Sequence, residues 1–296
     1  GQGSLLFSIP ISGRLHVQKE QARAEAYAAY VKAWGEEQQV IRELREAWTD
    51  WSSARDGVNV SAAERTRYEN AYRDADRLVA ERRFAPTEAS LLRFSQGRVG
   101  LEEVHMRDME NQARVRVIAL MGLTTAAAVE LLPTETIPPW VGNAEDLYRT
   151  NPLILLRKAE YAVAEQTLRL EIREQFPDIQ IGPSYEQRGG KDSLGLGVSF
   201  PLPFLNGNRG EIASARASRD AARVNWEAAV EQGLNEFALA RSAHDLAVRR
   251  TDGLRVLVPS AESQVRDTQT RFETDDRNTF LLVDSVSGER TTKLSL

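Results

Sequence analysis

The sequence predicts a mainly α protein with a small antiparallel β part, built from a duplicated unit of one strand and one long coiled-coil helical hairpin. Two stretches follow one plan: a short alternating strand ends in Pro and leads into a very long helix that closes at Arg-Phe. The first stretch begins at Leu6 and ends at Phe84, and the second begins at Gly197 and ends at Phe272. Small and apolar residues also recur at a constant interval in the two helices: Ala22 with Ala215, Ala29 with Ala222, Val40 with Gly233, Leu44 with Phe237, Ala47 with Ala240 and Ala54 with Ala247. A repeat of this kind predicts an architecture of two similar structural units without reference to any motif.

The helix predicted at residues 14–84 opens the hairpin of the first repeat, which spans residues 1–132 and begins with a strand at 5–12. No Pro occurs from Arg14 to Phe84. Apolar or small residues step by four and three along this helix, at Val40, Leu44, Ala47, Trp51 and Ala54. These are the a and d positions of a coiled coil, and the many Ala and Gly residues among them predict close helix packing. We interpret residues 56–59 as a local interruption.

A second helix is predicted at residues 88–121, with Thr87 as its N-cap and Gly122 after its last residue. Residues 133–143 contain Pro133, Pro138 and Pro139, which exclude a regular helix, so this stretch is predicted to link the two repeats. The second repeat, residues 144–296, is predicted to contain a helix at 144–176, strands at 178–187 and 193–202, a long helix at 210–272 and a truncated helix at 277–296.

The two strands of the second repeat are predicted from a change of period from 3.6 to 2. Apolar residues alternate with small or polar ones, most clearly at Leu194, Leu196, Val198 and Phe200. This pattern is typical of a membrane strand with lipid on one side and a wet lumen on the other. A water-soluble antiparallel hairpin with one face on a core gives the same alternation.

Composition and charge exclude several functional classes. The formal net charge of −5 lacks the basic excess of nucleic-acid binders, so no nucleic-acid partner is expected. The absence of Cys excludes disulfides, thiolate metal sites and Cys nucleophiles. The three His residues stand apart, and no catalytic triad, phosphate loop or nucleotide fingerprint is present, which predicts no enzyme, no cofactor and no metal site. His105, Met106 and Met109 would suit a soft copper contact, but ordinary packing on the helix surface and seam is the preferred explanation.

Three segments carry a resemblance to a known family: Phe176-Pro177-Asp178-Ile179, Ser199-Phe200-Pro201-Leu202-Pro203-Phe204 and Asn206-Gly207-Asn208-Arg209-Gly210-Glu211-Ile212. With them the chain resembles the TolC-type outer-membrane efflux proteins. The Pro-Leu-Pro-Phe run followed by Asn-Arg-Gly-Glu-Ile is most similar to the cobalt–zinc–cadmium resistance (CzcC-like) branch. Both halves fit the internal repeat of the family, so the resemblance covers nearly the whole chain.

The resemblance implies a trimeric α/β-barrel tunnel. Each protomer of the family gives four strands to a shared barrel in the cell outer membrane, and the long helices continue the barrel as a tunnel across the periplasm. The hairpin tips meet a periplasmic adaptor (membrane fusion) protein and an inner-membrane pump of the RND type. The implied function is the outer-membrane channel of a tripartite efflux system, a passive exit duct for metal cations or small toxic compounds. The competing interpretation is a soluble coiled-coil scaffold with a small β cap.

The resemblance also assigns roles to individual residues. The tips expected to contact the adaptor contain Phe84, Thr87, Ser90, Phe272, Asp275 and Thr279. The turn from strand into tunnel helix contains Pro201, Pro203, Arg209 and Gly210. The strand face expected to contact outer-membrane lipid contains Leu194, Leu196, Val198 and Phe200. Asp284 is the candidate entrance gate, and Leu281 occupies the place where relatives with a double aspartate ring have their first Asp.

Both ends of the chain are expected to be cuts. Gly1 to Ser4 leads directly into a strand, and Lys293 to Leu296 stops inside a predicted helix. We therefore expect the whole protein to have further N-terminal and C-terminal parts, including another strand.

Overall fold

The structure, a computed structural model, describes residues 2–4, 7–9, 13–124, 126–134, 136–176, 179–188, 191–199, 207–274 and 278–295. The elements in chain order are β1 (Gln2–Ser4), β2 (Phe7–Ile9), α1 (Arg14–Ala80), α2 (Pro86–Leu120), a 3₁₀ turn (Ala144–Asp146), α3 (Leu147–Thr150), α4 (Pro152–Arg173), β3 (Ile179–Arg188), β4 (Lys191–Ser199), α5 (Arg209–Thr274) and α6 (Thr279–Leu294). The predicted fold class, mainly helical with a small antiparallel sheet, is confirmed. None of the described helices is both long enough and apolar enough to span a membrane.

The elements form two compact units, each made of two separate stretches of the chain. We call residues 1–38 with 141–239 the sheet unit, and residues 39–140 with 240–296 the tip unit. Each unit therefore contains part of both predicted repeats. The division of the chain into two sequence repeats stays a prediction.

Strand β3 is the centre of the sheet. It pairs antiparallel with β4 from Gln180 opposite Ser199 to Arg188 opposite Lys191. Its other partners are β1 and β2, which pair with successive parts of β3 and share one register. The hairpin is longer than predicted, because the predicted loop at 188–192 is strand up to Arg188 and again from Lys191.

The helix predicted at 144–176 is wrong as a single element, because the chain breaks at Asn151. Asn151 has an extended backbone with ψ of 115°, and its side chain accepts hydrogen bonds from the amides of Leu153 and Ile154. Pro152 then occupies the first turn of α4. A residue before Pro avoids the helical region, and Asn is a strong N-cap, so α4 starts afresh here.

The core of the tip unit lies between α1, α2, α5 and α6. Its main cluster contains Tyr68, Ala75, Ala89, Leu92, Val99, Val265, Phe272, Leu282 and Val286. A second cluster joins Ala47 and Trp51 of α1 to Val117 of α2, with Leu44 packed against it. The predicted seam is thus buried at Ala47, Trp51 and Ala54, whereas Val40 is 45% exposed and does not belong to it.

The predicted interruption at residues 56–59 is wrong, since α1 continues through it. Gly57 serves close packing instead, because a Cβ there would lie 2.9 Å from Met106 Sδ. The predicted N-cap is also wrong: Ala85 caps α2 without a side-chain hydrogen bond, and Thr87 lies inside the helix after Pro86. The other helix bounds differ from the predicted ones by a few residues.

Candidate functional site

The first hairpin tip is closed by a backbone motif at the end of α1. Arg82 has a positive φ of 54°. Its amide donates to the carbonyl of Val79, and the amide of Arg83 donates to the carbonyl of Leu78. This pattern is the Schellman ending, in which one left-handed residue satisfies the last carbonyls of a helix. Glycine is the usual residue at that position, and here the chain uses Arg.

The structure brings the two predicted tips together through Phe84 and Phe272. Their rings lie 5.9 Å apart in an edge-to-face contact. Phe272 and Thr279 are buried, so they shape the tip from inside. Thr87 and Ser90 are exposed on α2 and remain available to a partner. Asp275 lies outside the described residues.

Helix α6 has one exposed and one buried face. The candidate gate residues Leu281 and Asp284 are three positions apart and both are exposed. Leu282, Ser285, Val286 and Glu289 form the buried face. Asn278 fixes the start of this helix, because its side chain accepts a hydrogen bond from the amide of Leu281. Leu281 and Asp284, the candidate gate residues, are therefore exposed to solvent on a capped helix.

On the buried side of α6, a network of ion pairs lies between α1, α5 and α6. Glu289 is 2% exposed and accepts a hydrogen bond from Arg67. Lys293 Nζ lies 2.7 Å from Glu289 Oε1 and 2.7 Å from Glu262 Oε1. Burial disfavours the charged form of Glu289, but the contacts with Arg67 and Lys293 outweigh it and lower the pKa of Glu289. The pKa of Lys293 is raised, because its contacts with Glu262 and Glu289 outweigh its own burial.

Glu64 is the least compensated charge of this network. It is 3% exposed, and neither carboxylate oxygen has a hydrogen-bond partner. Its nearest cation is Arg290, whose Nε lies 3.4 Å from Oε2. Burial raises the pKa of Glu64 to about 7, although the charges of Arg290, Arg98 and Arg67 oppose the rise. A cavity of about 210 Å³ borders this carboxyl group and is also lined by Arg67 and Glu289.

Glu103 of α2 is also buried but, unlike Glu64, it accepts hydrogen bonds from two Arg side chains. Arg107 Nη2 donates to its Oε1 at 2.7 Å, and Arg65 Nε donates to its Oε2 at 2.7 Å. The hydrogen bond from Arg107 is the main reason why the pKa of Glu103 is lowered. The sequence prediction missed all three buried glutamates. The four-residue spacings of Glu103 with Arg107 and Glu289 with Lys293 were visible, but the partners on other helices were not.

The strand residues predicted to face lipid lie on β4, apart from Phe200, which is outside the described residues. Leu196 is 75% exposed and Val198 is 58% exposed. The residues between and before them are Gly197 and Gly195. Leu194 pairs with Tyr185 of β3. Leu196 and Val198 therefore form a short apolar stripe that is exposed on one face of β4.

The predicted turn from strand into helix is described only from Gly207. Arg209 and Gly210 are the first residues of α5, and Pro201 and Pro203 lie outside the described residues. Asn208 has a positive φ of 53°. Its Nδ2 donates to the backbone oxygen of Glu171 at 3.0 Å and to Glu171 Oε2 at 2.7 Å. This side chain ties the start of α5 to α4.

His244 of α5 contacts the predicted linker. Its Nε2 lies 2.9 Å from the carbonyl oxygen of Pro138, and its ring packs against Trp140 at 5.5 Å. Within the described part of the chain, no group of three or more His, Cys, Asp or Glu residues is placed to hold a metal ion.

No protein-family model matches the chain. The chain is 23% identical over 232 residues to the cobalt-zinc-cadmium resistance protein CzcC of Cupriavidus metallidurans, a match that covers 73% of this chain and 53% of the relative. The chain thus spans about half the length of that curated relative.

Two solved structures have a very similar fold. The outer-membrane channel OprN superposes with a TM-score of 0.85 at 18% identity, over 98% of this chain and 68% of that one. The outer membrane protein VceC from Vibrio cholerae gives 0.85 at 15% identity, over 100% of this chain and 75% of that one. These matches confirm, at the level of the fold, the resemblance predicted from the sequence.

Proposed function

Taking as premise that this chain has the fold of the TolC-type outer-membrane efflux channels, we propose that it is the outer-membrane channel component of a tripartite efflux system. It would act as a passive exit duct, with the transport energy supplied by a partner pump. The curated relative is named for resistance to cobalt, zinc and cadmium. That name supports divalent metal cations as cargo, with small toxic compounds as the second candidate.

The observation that carries the proposal is the outward apolar stripe of β4. Leu196 and Val198 are mostly exposed, and the residues that alternate with them are glycines. In water, two large apolar side chains on a sheet face are left without a core. In an outer-membrane barrel the same alternation places Leu194, Leu196, Val198 and Phe200 against lipid and the small residues toward the lumen. Lipid cannot accept an open sheet edge, so strands from three protomers would close the barrel.

The tips are proposed to bind a periplasmic adaptor, which would in turn connect the channel to an inner-membrane RND pump. Thr87 and Ser90 offer exposed hydroxyl groups, and Phe280 next to the second tip is 76% exposed. An exposed aromatic ring beside small polar residues suits a protein partner. Phe84, Phe272 and Thr279 hold the tip in shape through their packing, and Asp275 completes the predicted set.

Asp284 is proposed to form the entrance gate. One Asp from each of three protomers would make a ring of carboxylates around the tunnel axis. Such a ring focuses negative potential in a narrow opening, attracts cations and repels anions. Leu281, exposed one turn earlier, stands where a second aspartate ring would have its Asp. The entrance would therefore have one carboxylate ring and a weaker cation preference than an entrance with two.

Fractionation of the producing bacterium tests the proposal. We expect the wild-type protein in the outer-membrane fraction, and cells that lack it to become sensitive to Co²⁺, Zn²⁺ or Cd²⁺. Leu196→Arg should remove the protein from that fraction, because Arg in mid-strand on a lipid face costs about 2–4 kcal/mol. Gly195→Ser, one residue away on the lumen side, is the matched control and should fractionate like wild type. Recovery of the wild-type protein in the soluble fraction would contradict the proposal and favour a coiled-coil scaffold.

A further inference from the structure

A groove of about 440 Å³ lies in the sheet unit between the first turns of α1 and the last turns of α4. Its lining consists of His16, Val17, Glu20, Gln166, Arg169, Ile172, Arg173 and Phe176. None of these residues belongs to the tips, the gate or the lipid-facing strand. The proposed channel function therefore assigns no role to this groove.

Chain connectivity places the groove next to the sheet. Phe176 is three residues before Ile179, the first residue of β3. An extended chain of that length spans at most about 10 Å. On the α1 side, Arg14 follows the last residue of β2 by five positions. If the sheet is embedded in the outer membrane, as proposed above, the groove lies at the level where lipid headgroups meet water.

The last turns of α4 and the short turn that follows them combine two cations with two apolar side chains. Arg169 and Arg173 are four residues apart in the last turns of α4, so they project from neighbouring positions of the helix, as does Ile172. Phe176 lies in the turn that follows, where its amide donates to the carbonyl of Arg173. Ile172 is 40% exposed and Phe176 is 57% exposed. Large apolar groups beside guanidinium groups suit a ligand that is anionic at one end and apolar at the other.

The charges of the groove favour an anion. Arg169 shares Glu165 with Arg219, at distances of 3.4 and 3.7 Å, so its charge is only partly compensated. Arg173 makes no ion pair within the described part of the chain. Glu20 is the one carboxylate in the lining, and it pairs with Arg23 at 2.6 Å, which offsets its charge. A guanidinium group binds phosphate through two parallel hydrogen bonds, so Arg is well suited to phosphate recognition.

We propose that this groove binds a phospholipid of the membrane leaflet that faces the helices. Arg169 and Arg173 contact the phosphodiester, and Ile172 and Phe176 contact the first carbons of the acyl chains. The inference rests on the proposed outer-membrane location. The lipid site would connect the helical part of the molecule to the membrane surface, because the bound headgroup contacts α4.

The test is thermal unfolding of the detergent-purified protein with added dioleoyl-phosphatidylglycerol. A ligand at many times its dissociation constant stabilises the folded state, so we expect the midpoint to rise by roughly 5 °C. The double variant R169Q/R173Q should lose this rise. Arg216→Gln, which removes an exposed Arg elsewhere in the sheet unit, should keep it. Diacylglycerol without phosphate, and inorganic phosphate without acyl chains, should each give no rise.

An equal rise in wild type and double variant would overturn the proposal, and so would a full rise with inorganic phosphate alone. A photo-crosslinker at position 176 gives an independent readout if the double variant fails to fold. Adducts with phospholipid support the site, whereas adducts only with a second copy of the chain contradict it. A membrane-located protein without a lipid-dependent rise would refute this inference alone. A soluble protein would refute the proposed function.

Discussion

Glu64, Glu103 and Glu289 are all nearly fully buried in the tip unit, yet their surroundings favour different protonation states. Glu103 and Glu289 receive hydrogen bonds from Arg side chains, which stabilise their charged forms. Glu64 has one cation at 3.4 Å and no hydrogen bond, so the effect of burial is larger than that of the cation and raises the pKa of Glu64. A buried charge with few hydrogen bonds is costly. The same residue type thus stabilises the tip unit in two places and weakens it at neutral pH in a third.

Glu64→Gln should stabilise the tip unit at pH 8 and have little effect near pH 4. The pKa of Glu64 in the folded protein is about 7, above the ordinary value of 4.5. The folded state therefore binds the proton more tightly, so the stability from Glu64 is present below about pH 4.5 and is lost as the pH rises through 7. One pKa unit is about 1.4 kcal/mol, so we expect a gain of about 1–3 kcal/mol at pH 8. Denaturant unfolding at both pH values measures it.

Glu103→Gln is the matched control for this prediction, because the pKa of Glu103 is shifted in the opposite direction. Its lowered pKa means that its contribution is present above pH 4.5 and is lost as the pH falls. The Glu103 variant should therefore be less stable than wild type at pH 8. A destabilised Glu64→Gln variant at pH 8 would show that the pair with Arg290 outweighs the cost of burial.

Asp284→Ala should lower the cation preference of the open channel and weaken its block by multivalent cations added on the periplasmic side. The physical reason is the loss of three carboxylates from a narrow opening. Planar-bilayer recording in a salt gradient measures the preference. Asp267→Ala removes an exposed carboxylate from α5 of the same tip unit and should change neither property. Equal selectivity of the Asp284 variant and wild type would remove Asp284 from the gate.

At the scale of the element, small residues decide how closely helices approach. Gly233 of α5 faces α4, where a Cβ would lie 3.0 Å from Ile154 Cδ1 and 3.3 Å from Asn151 Nδ2. Asn151 is also the N-cap of α4. The contact between Gly233 and Asn151 therefore affects both the distance between α4 and α5 and the first turn of α4. Gly253 of the same helix has nothing within 4 Å of an added Cβ.

Gly253→Ala should raise stability by about 0.5–1 kcal/mol, because Ala is the better helix former in open space. Gly233→Ala gains the same propensity but must displace Ile154 and the Asn151 cap, and overpacking typically costs about 1–3 kcal/mol. We therefore expect a net loss at Gly233. Thermal unfolding of the two variants measures the difference. A gain of equal size at both positions would mean that α4 and α5 do not approach closely at Gly233.

At the scale of the whole molecule, the sequence predicted the fold class and the long elements. Some errors were local, at Asn151-Pro152 and at the start of α2, and the others arose where tertiary contacts decide. The stretch without Pro from Arg14 to Phe84 and the heptad spacing of Ala47, Trp51 and Ala54 were sufficient to predict α1. The repeat predicted α5 as a matching long helix, although it contains Pro259. Gly57 suggested a break because a sequence does not show that Met106 packs against it. The buried ion pairs escaped prediction for the same reason: Arg67 and Glu289 are far apart in the chain and meet only in the folded tip unit.

The most direct test of the proposed channel is planar-bilayer recording of the protein extracted from the outer-membrane fraction with detergent and purified as a cross-linkable oligomer. We predict discrete conductance steps with a preference for cations, and a cross-linked species of three chains. Absence of conductance from a folded protein, or a cross-linked species that is not a trimer, would contradict the account.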